Sequence, residues 1–292
     1  MNISPLPSLR LPVLLRLADL WALRRAAVAL VAGAGLLALT GCTAPGSAPK
    51  APGAPTAAGG AGTTGSEPAL RVGVCGKLAP IVSLQSGQYS GFEADFARGL
   101  GASLSRRVVF VELPWLELLP ALQGGKVDIV MSGVSITPER MMVVDFANPY
   151  LRSGLAAVVR RDEISTLSMF FTRSIRIGVK PGTTGEYYVQ QQFPQNKRIP
   201  FLNPGEAARA LKEKKIDIFI IDAPIAWWMV GAYEADGIAV IGDLLNTEYL
   251  AWAVAKGNGP LHKAANDYVA ATLKDGQQQA ILRRWLGSHY AP

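Results

Sequence analysis

From Ala69 onward, short apolar runs alternate with amphipathic helical stretches, and the series runs through twice. This repetition limits the fold more than any single residue, because strand–helix alternation argues for α/β layers around a largely parallel sheet. In the first pass, Leu70 to Val74, Val108 to Glu112 and Val127 to Met131 read as strands, separated by helices from Glu93 to Leu104 and from Trp115 to Gln123. After Leu155 to Val159 the pattern begins again. Ile175 to Val179, Ile199 to Leu202 and Ile216 to Ile221 are strands, with helices over Thr184 to Gln192, Pro204 to Lys212 and onward from Pro224. A last strand, Leu250 to Ala255, leads into two helices between Leu261 and Leu286. Two lobes joined by two crossing segments, near 156–160 and 249–255, are expected to form a hinge beside a cleft.

The segment before Ala69 has a different character. Arg10, Arg16, Arg24 and Arg25 form a basic stretch, and Ala26 to Leu39 is an apolar run of roughly fourteen residues, short for a membrane span. Leu39-Thr40-Gly41-Cys42 follows and resembles the bacterial lipobox, which makes Cys42 the expected lipidated residue. Residues 43–68 are almost entirely Ala, Gly, Pro, Thr and Ser, with too little to bury to offset the entropy of ordering, so a tether is expected. The expected organisation is a signal peptide over 1–41, a tether over 42–68, a first lobe over 69–156, a second over 157–249, and a return segment over 250–292.

Composition then excludes several classes. The chain carries 29 Lys and Arg against 22 Asp and Glu; the leader accounts for four Arg and one Asp, leaving 25 and 21, a net of +4. That balance gives no case for nucleic-acid binding. With Cys42 lipidated, Cys75 stands alone and no internal disulfide is expected. His262 and His289 lie far from any Cys cluster, so neither a metal site nor a Cys-His dyad is expected, and no cofactor.

The candidate site begins at Ser132-Gly133-Val134-Ser135-Ile136-Thr137-Pro138-Glu139-Arg140. It follows an apolar strand and ends just inside a helix start that Thr137 can cap with Pro138 at the first position. Hydroxyls, small-residue amides and a guanidinium fork suit a small carboxylate. No acid, base or nucleophile with a partner is visible there. In the second pass, Thr183-Thr184 opens a helix, where free N–H groups favour an anion. Asp222 ends an apolar strand and needs a compensating cation. Both loops fall at carboxyl ends of strands, where open α/β sheets bind ligands.

Several ordered motifs carry a family resemblance: Leu70-Arg71-Val72-Gly73-Val74, Gly91-Phe92-Glu93-Ala94-Asp95, and Leu119 to Asp128. The stretch to Arg140, Val144-Asp145-Phe146-Ala147-Asn148-Pro149-Tyr150, Gly182-Thr183-Thr184-Gly185-Glu186 and Ile221-Asp222-Ala223-Pro224 complete the set. Together they resemble the bacterial extracellular solute-binding proteins of family 3, the polar amino acid receptors of ABC importers. The resemblance implies a two-lobed, type II periplasmic-binding-protein fold, a "Venus flytrap" with two hinge-crossing segments. It implies a monomeric, exported, membrane-anchored receptor that hands its ligand to an ABC permease. By the same resemblance Arg140 holds the ligand α-carboxylate, Ser135 reaches its main-chain groups, and Ser132 and Gly133 form the adjoining rim. Thr183 and Thr184 donate to the carboxylate from the second lobe, and Asp222 pairs with the α-ammonium.

The side-chain pocket departs from the pattern. Where relatives often carry an acid and then an aromatic, this chain has Cys75 and Leu78; Trp115 falls at a pocket-lining position. The missing acid argues against Lys, Arg or His as ligand, and a neutral or apolar amino acid, or a related small carboxylate, is expected. Structural roles compete for the same residues: Arg140 as an ion-pair partner of Asp145, Asp222 and Thr183 as helix caps, and Trp227 and Trp228 as core. Two other functions fit the same scaffold. One is a cyclohexadienyl dehydratase-like enzyme with Glu186 as general acid; the other is a sensing module for a separate membrane protein.

Overall fold

The computed structural model describes residues 69–161 and 174–289. The expected leader, tether and lipidated Cys42 lie outside the described residues. Among those described, no helix is long and apolar enough to cross a membrane.

The first pass of the pattern builds strands β1 (Leu70–Val74), β5 (Val108–Glu112) and β6 (Ile129–Val130), with β5 and β6 parallel to β1 on either side. Helices α1 (Phe92–Ser103) and α2 (Leu118–Gln123) connect them. A small antiparallel meander, β2 (Lys77–Leu78), β3 (Val82–Gln85) and β4 (Gln88–Ser90), follows β1. These strands are too short to give an alternation readable in sequence. β15 (Ala253–Ala255), antiparallel to β6, and β7 (Val144–Phe146), antiparallel in turn to β15, complete a five-stranded sheet in which only β15 runs against the others. Helix α3 (Pro138–Met141) lies between β6 and β7.

The second pass gives β10 (Arg176–Val179), β11 (Lys197–Pro200) and β12 (Ile218–Asp222), again a parallel trio with β10 central. Helices α4 (Thr184–Gln192), α5 (Pro204–Lys212) and α6 (Ala223–Ala232) accompany it. β9 (Leu155–Arg160) and β13 (Ile238–Ile241) extend the sheet antiparallel, in the order β11-β10-β12-β9-β13. β12 is buried along its whole length. Successive side chains point to opposite faces, so Ile218 and Ile220 join a core with Val189 and Val179, while Phe219 and Ile221 join one with Ala207 and Ala226.

The chain passes between the sheets on two paired strands, β8 (Leu151–Ser153) and β14 (Glu248–Leu250), which run antiparallel in register Glu248↔Ser153. Helices α7 (Gly259–Lys274) and α8 (Gln277–Leu286) then pack against α1. Trp252, fully buried, anchors this return through an aromatic cluster with Phe96, Tyr150 and Tyr268, ring centroids 5.5–5.9 Å apart.

Each lobe locks its parallel trio by the same ionic clamp. In the first, Arg71 reaches the Asp128 carboxylate through Nε and Nη2, and the Arg71 amide donates to it at 2.8 Å. In the second, Arg176 holds Asp217 in the same way, its amide also at 2.8 Å, and Arg160 adds a second guanidinium. Asp128 and Asp217 are therefore framework residues at strand entries.

Candidate functional site

β1 and β6 are parallel neighbours, and their carboxyl ends deliver Cys75 and Ser132 side by side. The Cys75 amide donates to Ser132 Oγ at 2.9 Å, so this hydroxyl fastens one strand end to the next. Gly133 takes φ +70°, and a Cβ there would lie 2.6 Å from Ile81. Its amide donates to the buried Glu93 carboxylate at 2.9 Å. The loop is further tied to the crossing strand by Ile136 N–H to Tyr249 O and Ala251 N–H to Val134 O. Ser132 and Gly133 thus shape this loop through internal bonds.

Thr137 caps α3 through the Arg140 amide, with Pro138 at the first turn, as the sequence implies. This short helix aims the Arg140 side chain back over the loop. Nη1 donates to Ser135 O at 2.9 Å, and Nη2 donates to Gly182 O, in the second lobe, at 3.3 Å. The guanidinium lies 5.5 Å from the Trp115 ring centre, within reach of a cation–π contact. Trp115 Nε1 donates to the same Gly182 carbonyl at 3.0 Å. Asp145 pairs instead with Lys256 and accepts from the Gly257 amide. No carboxylate of the described residues lies within ion-pair distance of Arg140. Burial pushes its pKa down, while the fields of Asp222, Glu248 and Glu139 oppose that shift.

On the second sheet, β10 and β12 end beside each other. The turn after β10 carries Lys180 and Gly182 into Thr183, the N-cap of α4. Thr183 Oγ1 donates to Lys180 O at 2.7 Å and accepts from the Glu186 amide at 3.4 Å. Glu186 returns the bond, its carboxylate accepting the Gly182 amide at 2.8 Å in a capping-box arrangement. β12 ends on Asp222, which stands at the N-cap position of α6 yet makes no side-chain cap bond. Asp222 is 9% exposed, and its carboxyl is pushed up to about 7 by burial first and by the Glu248 carboxylate second, against the pull of Arg140 and Lys180.

Two polar residues of the site escape a sequence reading. Glu248, on the crossing strand β14, accepts from Ser135 Oγ of the first lobe and, at 3.1 Å, from Thr184 Oγ1 of the second. Asn246 Nδ2 holds its other oxygen at 2.9 Å. Lys180 is 4% exposed, and its ammonium donates to Leu202 O at 2.8 Å. Glu248 sits in Asn246-Thr247-Glu248 and Lys180 in Lys180-Pro181-Gly182, both of which read as solvated turns. Only the crossing and the meeting of loops bury them.

Next to these groups lies a cavity of about 310 Å³, whose walls include Cys75, Trp115, Leu116, Lys180 and Leu202. A smaller one of about 180 Å³ shares Trp115 and Leu116 and reaches Arg140 and Gly182. Leu78 is not among the residues around either; it is 2% exposed and packs into the first lobe's core. Trp227 stacks on His289 and Trp228 meets Tyr233 edge-on, so both serve packing.

The family of bacterial extracellular solute-binding proteins, family 3, matches residues 70–288. The L-cystine-binding protein TcyJ of Escherichia coli (strain K12) is 30% identical over 222 residues, covering 75% of this chain and 83% of that one. Among solved structures, an ancestral arginine-binding protein bound to glutamine superposes with a TM-score of 0.71 at 32% identity, covering 75% of this chain and 98% of that one. The ancestral amino acid-binding protein AncCDT-1, described as a precursor of cyclohexadienyl dehydratase, gives 0.70 at 32% identity, covering 75% and 95%.

Proposed function

We propose that this chain, which belongs to the bacterial extracellular solute-binding proteins of family 3, captures an amino acid between its two lobes and delivers it to an ABC importer. The observation that carries this reading is the unpaired guanidinium of Arg140. It is partly buried, bonded only to the carbonyls of Ser135 and Gly182, and flanked by the Trp115 ring. A desolvated cation held by neutral groups favours an arriving carboxylate. Asp222, with no cap bond and its carboxyl pushed up to about 7, is the matching acceptor for an α-ammonium. Ser135 and Thr184 offer hydroxyl donors, while Thr183, whose hydroxyl donates to Lys180 O, holds the turn in place. Ligand entry then requires the Ser135 and Thr184 hydroxyls to exchange Glu248 for the ligand.

The side chain of the ligand is neutral or apolar where it lies along Cys75, Trp115 and Leu116. Cys75 supplies no charge to a cationic group. Glu112, at the exposed rim of the cavity, already accepts the Tyr89 hydroxyl at 3.0 Å. Calorimetry across the amino acids and small carboxylates tests the proposal. One class is expected to bind, and Arg140→Ala to weaken it by about 2–5 kcal/mol. Binding that survives Arg140→Ala unchanged would sink the assignment.

We read the protein as a receptor and not as an enzyme. Glu186, the general acid that the dehydratase reading would need, is engaged with the Gly182 amide and the first turn of α4. Prephenate and arogenate are expected to emerge unchanged from incubation with the purified protein. Lipidation at Cys42 completes the reading, as an exported monomer anchored outside the cytoplasmic membrane. Cys42→Ala should move the protein from the membrane fraction to the soluble one.

A further inference from the structure

The side-chain end of the cleft carries a charge arrangement that the motifs alone do not reveal. Cys75 is a buried cysteine at the end of β1. At the corresponding end of β10 in the other lobe stands Lys180, 4% exposed and among the walls of the 310 Å³ cavity. An ammonium has three N–H donors and no acceptor. Among the described residues one acceptor reaches it, the Leu202 carbonyl at 2.8 Å, and no carboxylate lies within ion-pair distance. Burial pushes its pKa down and Lys77 adds to that, while Asp222 and Glu206 oppose it only through longer-range fields. A buried cation with spare donors is costly unless a partner arrives. The cavity's other charged walls are Lys77 and Glu112, so its lining is net positive by one. The remaining walls are apolar: Leu113, Pro114, Trp115, Leu116, Pro181 and Leu202.

We infer that Lys180 sets side-chain specificity, selecting an amino acid whose side chain ends in a carbonyl oxygen, as a carboxamide or a carboxylate. The inference rests on the receptor reading above and deepens it. The ligand's main-chain end meets Arg140 and Asp222. Its methylenes run along Trp115 and Leu116, and its terminal oxygen takes the free donors of Lys180. With Cys75 neutral and Lys180 on the same cavity, the pocket favours an oxygen-terminated side chain over a cationic one.

The test is calorimetry on the full-length protein and on Lys180→Met, with L-glutamine, L-glutamate, L-leucine and L-arginine as separate probes. Lys180→Met removes a buried charge and keeps the side-chain length; a thermal melt confirms that it folds, and Lys180→Gln serves as a second variant. Wild type is expected to bind glutamine or glutamate at least tenfold tighter than leucine, with arginine weakest; which of the two binds tighter separates the amide from the carboxylate. Either variant should cut that ratio at least tenfold, and Lys180→Met should leave leucine unchanged or tighter. A wild type that prefers leucine or arginine overturns the inference while leaving the receptor reading in place, as does a ratio that both variants leave unchanged. Failure of every amino acid to bind the folded wild type overturns both.

Discussion

Asp222 has an ordinary carboxyl value of 3.8 and is pushed up to about 7 in the fold by burial first and the Glu248 carboxylate second, against the pull of Arg140 and Lys180. Between these values the native state holds a proton that the unfolded chain releases, so this group costs stability as pH rises through that window. A ligand ammonium reverses the preference, because it favours the ionised carboxylate. Amino acid binding should therefore expel a proton near neutrality, and affinity should fall as pH drops from 8 to 5.5, by up to about tenfold per unit for one coupled proton. Calorimetry in buffers of different ionisation enthalpy measures this, and Asp222→Asn should flatten the profile. Gly133 gives a second prediction at this scale. Its φ of +70° and the closeness of Ile81 mean that Gly133→Ala should cost at least about 1–2 kcal/mol in a denaturant titration. Asp222 is readable in the sequence because it ends an apolar strand, and Arg140 because it closes the Ser132–Arg140 loop just inside a capped helix start. Lys180 and Glu248 are not, since a lysine before Pro-Gly and a glutamate after Asn-Thr look like any solvated turn.

Helices and parallel strands were the elements easiest to read, because burial on one or both faces leaves a periodic apolar record. Leu70–Val74, Val108–Glu112, Thr184–Gln192 and Pro204–Lys212 stand at the expected residues. The β2–β4 meander and β7, β8 and β13 left no such record, being two to four residues long. The stretch Leu250 to Ala255, expected as one strand, divides into β14 and β15, which pair with different partners. The two clamps, Arg71–Asp128 and Arg176–Asp217, belong to this scale because each ties the first strand of a trio to the entry of the third. Asp217→Ala would remove the carboxylate that Arg176 and Arg160 share, and should lower stability by about 2–3 kcal/mol. A chemical-denaturation midpoint would show it. The Asp217 carboxyl is held below its ordinary value by these arginines, even though burial pushes it the other way. The stability it provides is present above that ordinary value and is lost as pH falls through the native one.

At the scale of the molecule, the lobes share the Gly182 carbonyl, which takes bonds from both Trp115 and Arg140, and Trp227 of the second lobe stacks on His289 of the return segment. A ligand that bonds to both lobes binds only the native arrangement. At a hundred times its Kd it should add about 2.7 kcal/mol of stability. For a fold of this size that is a rise of about 5–11 °C in the thermal midpoint, measurable by calorimetry with and without amino acid. What the sequence by itself determined is the α/β alternation run twice and the residues that end its strands, because local periodicity and strand punctuation are written within a few neighbouring residues. What only the tertiary structure decided is which distant groups face one another: Glu248 between Ser135 and Thr184, Lys180 on the same cavity as Cys75, and Arg140 without a carboxylate partner among the described residues. Those pairings span up to 113 residues of chain, and burial, which sets their charge states, exists only once the two lobes are packed.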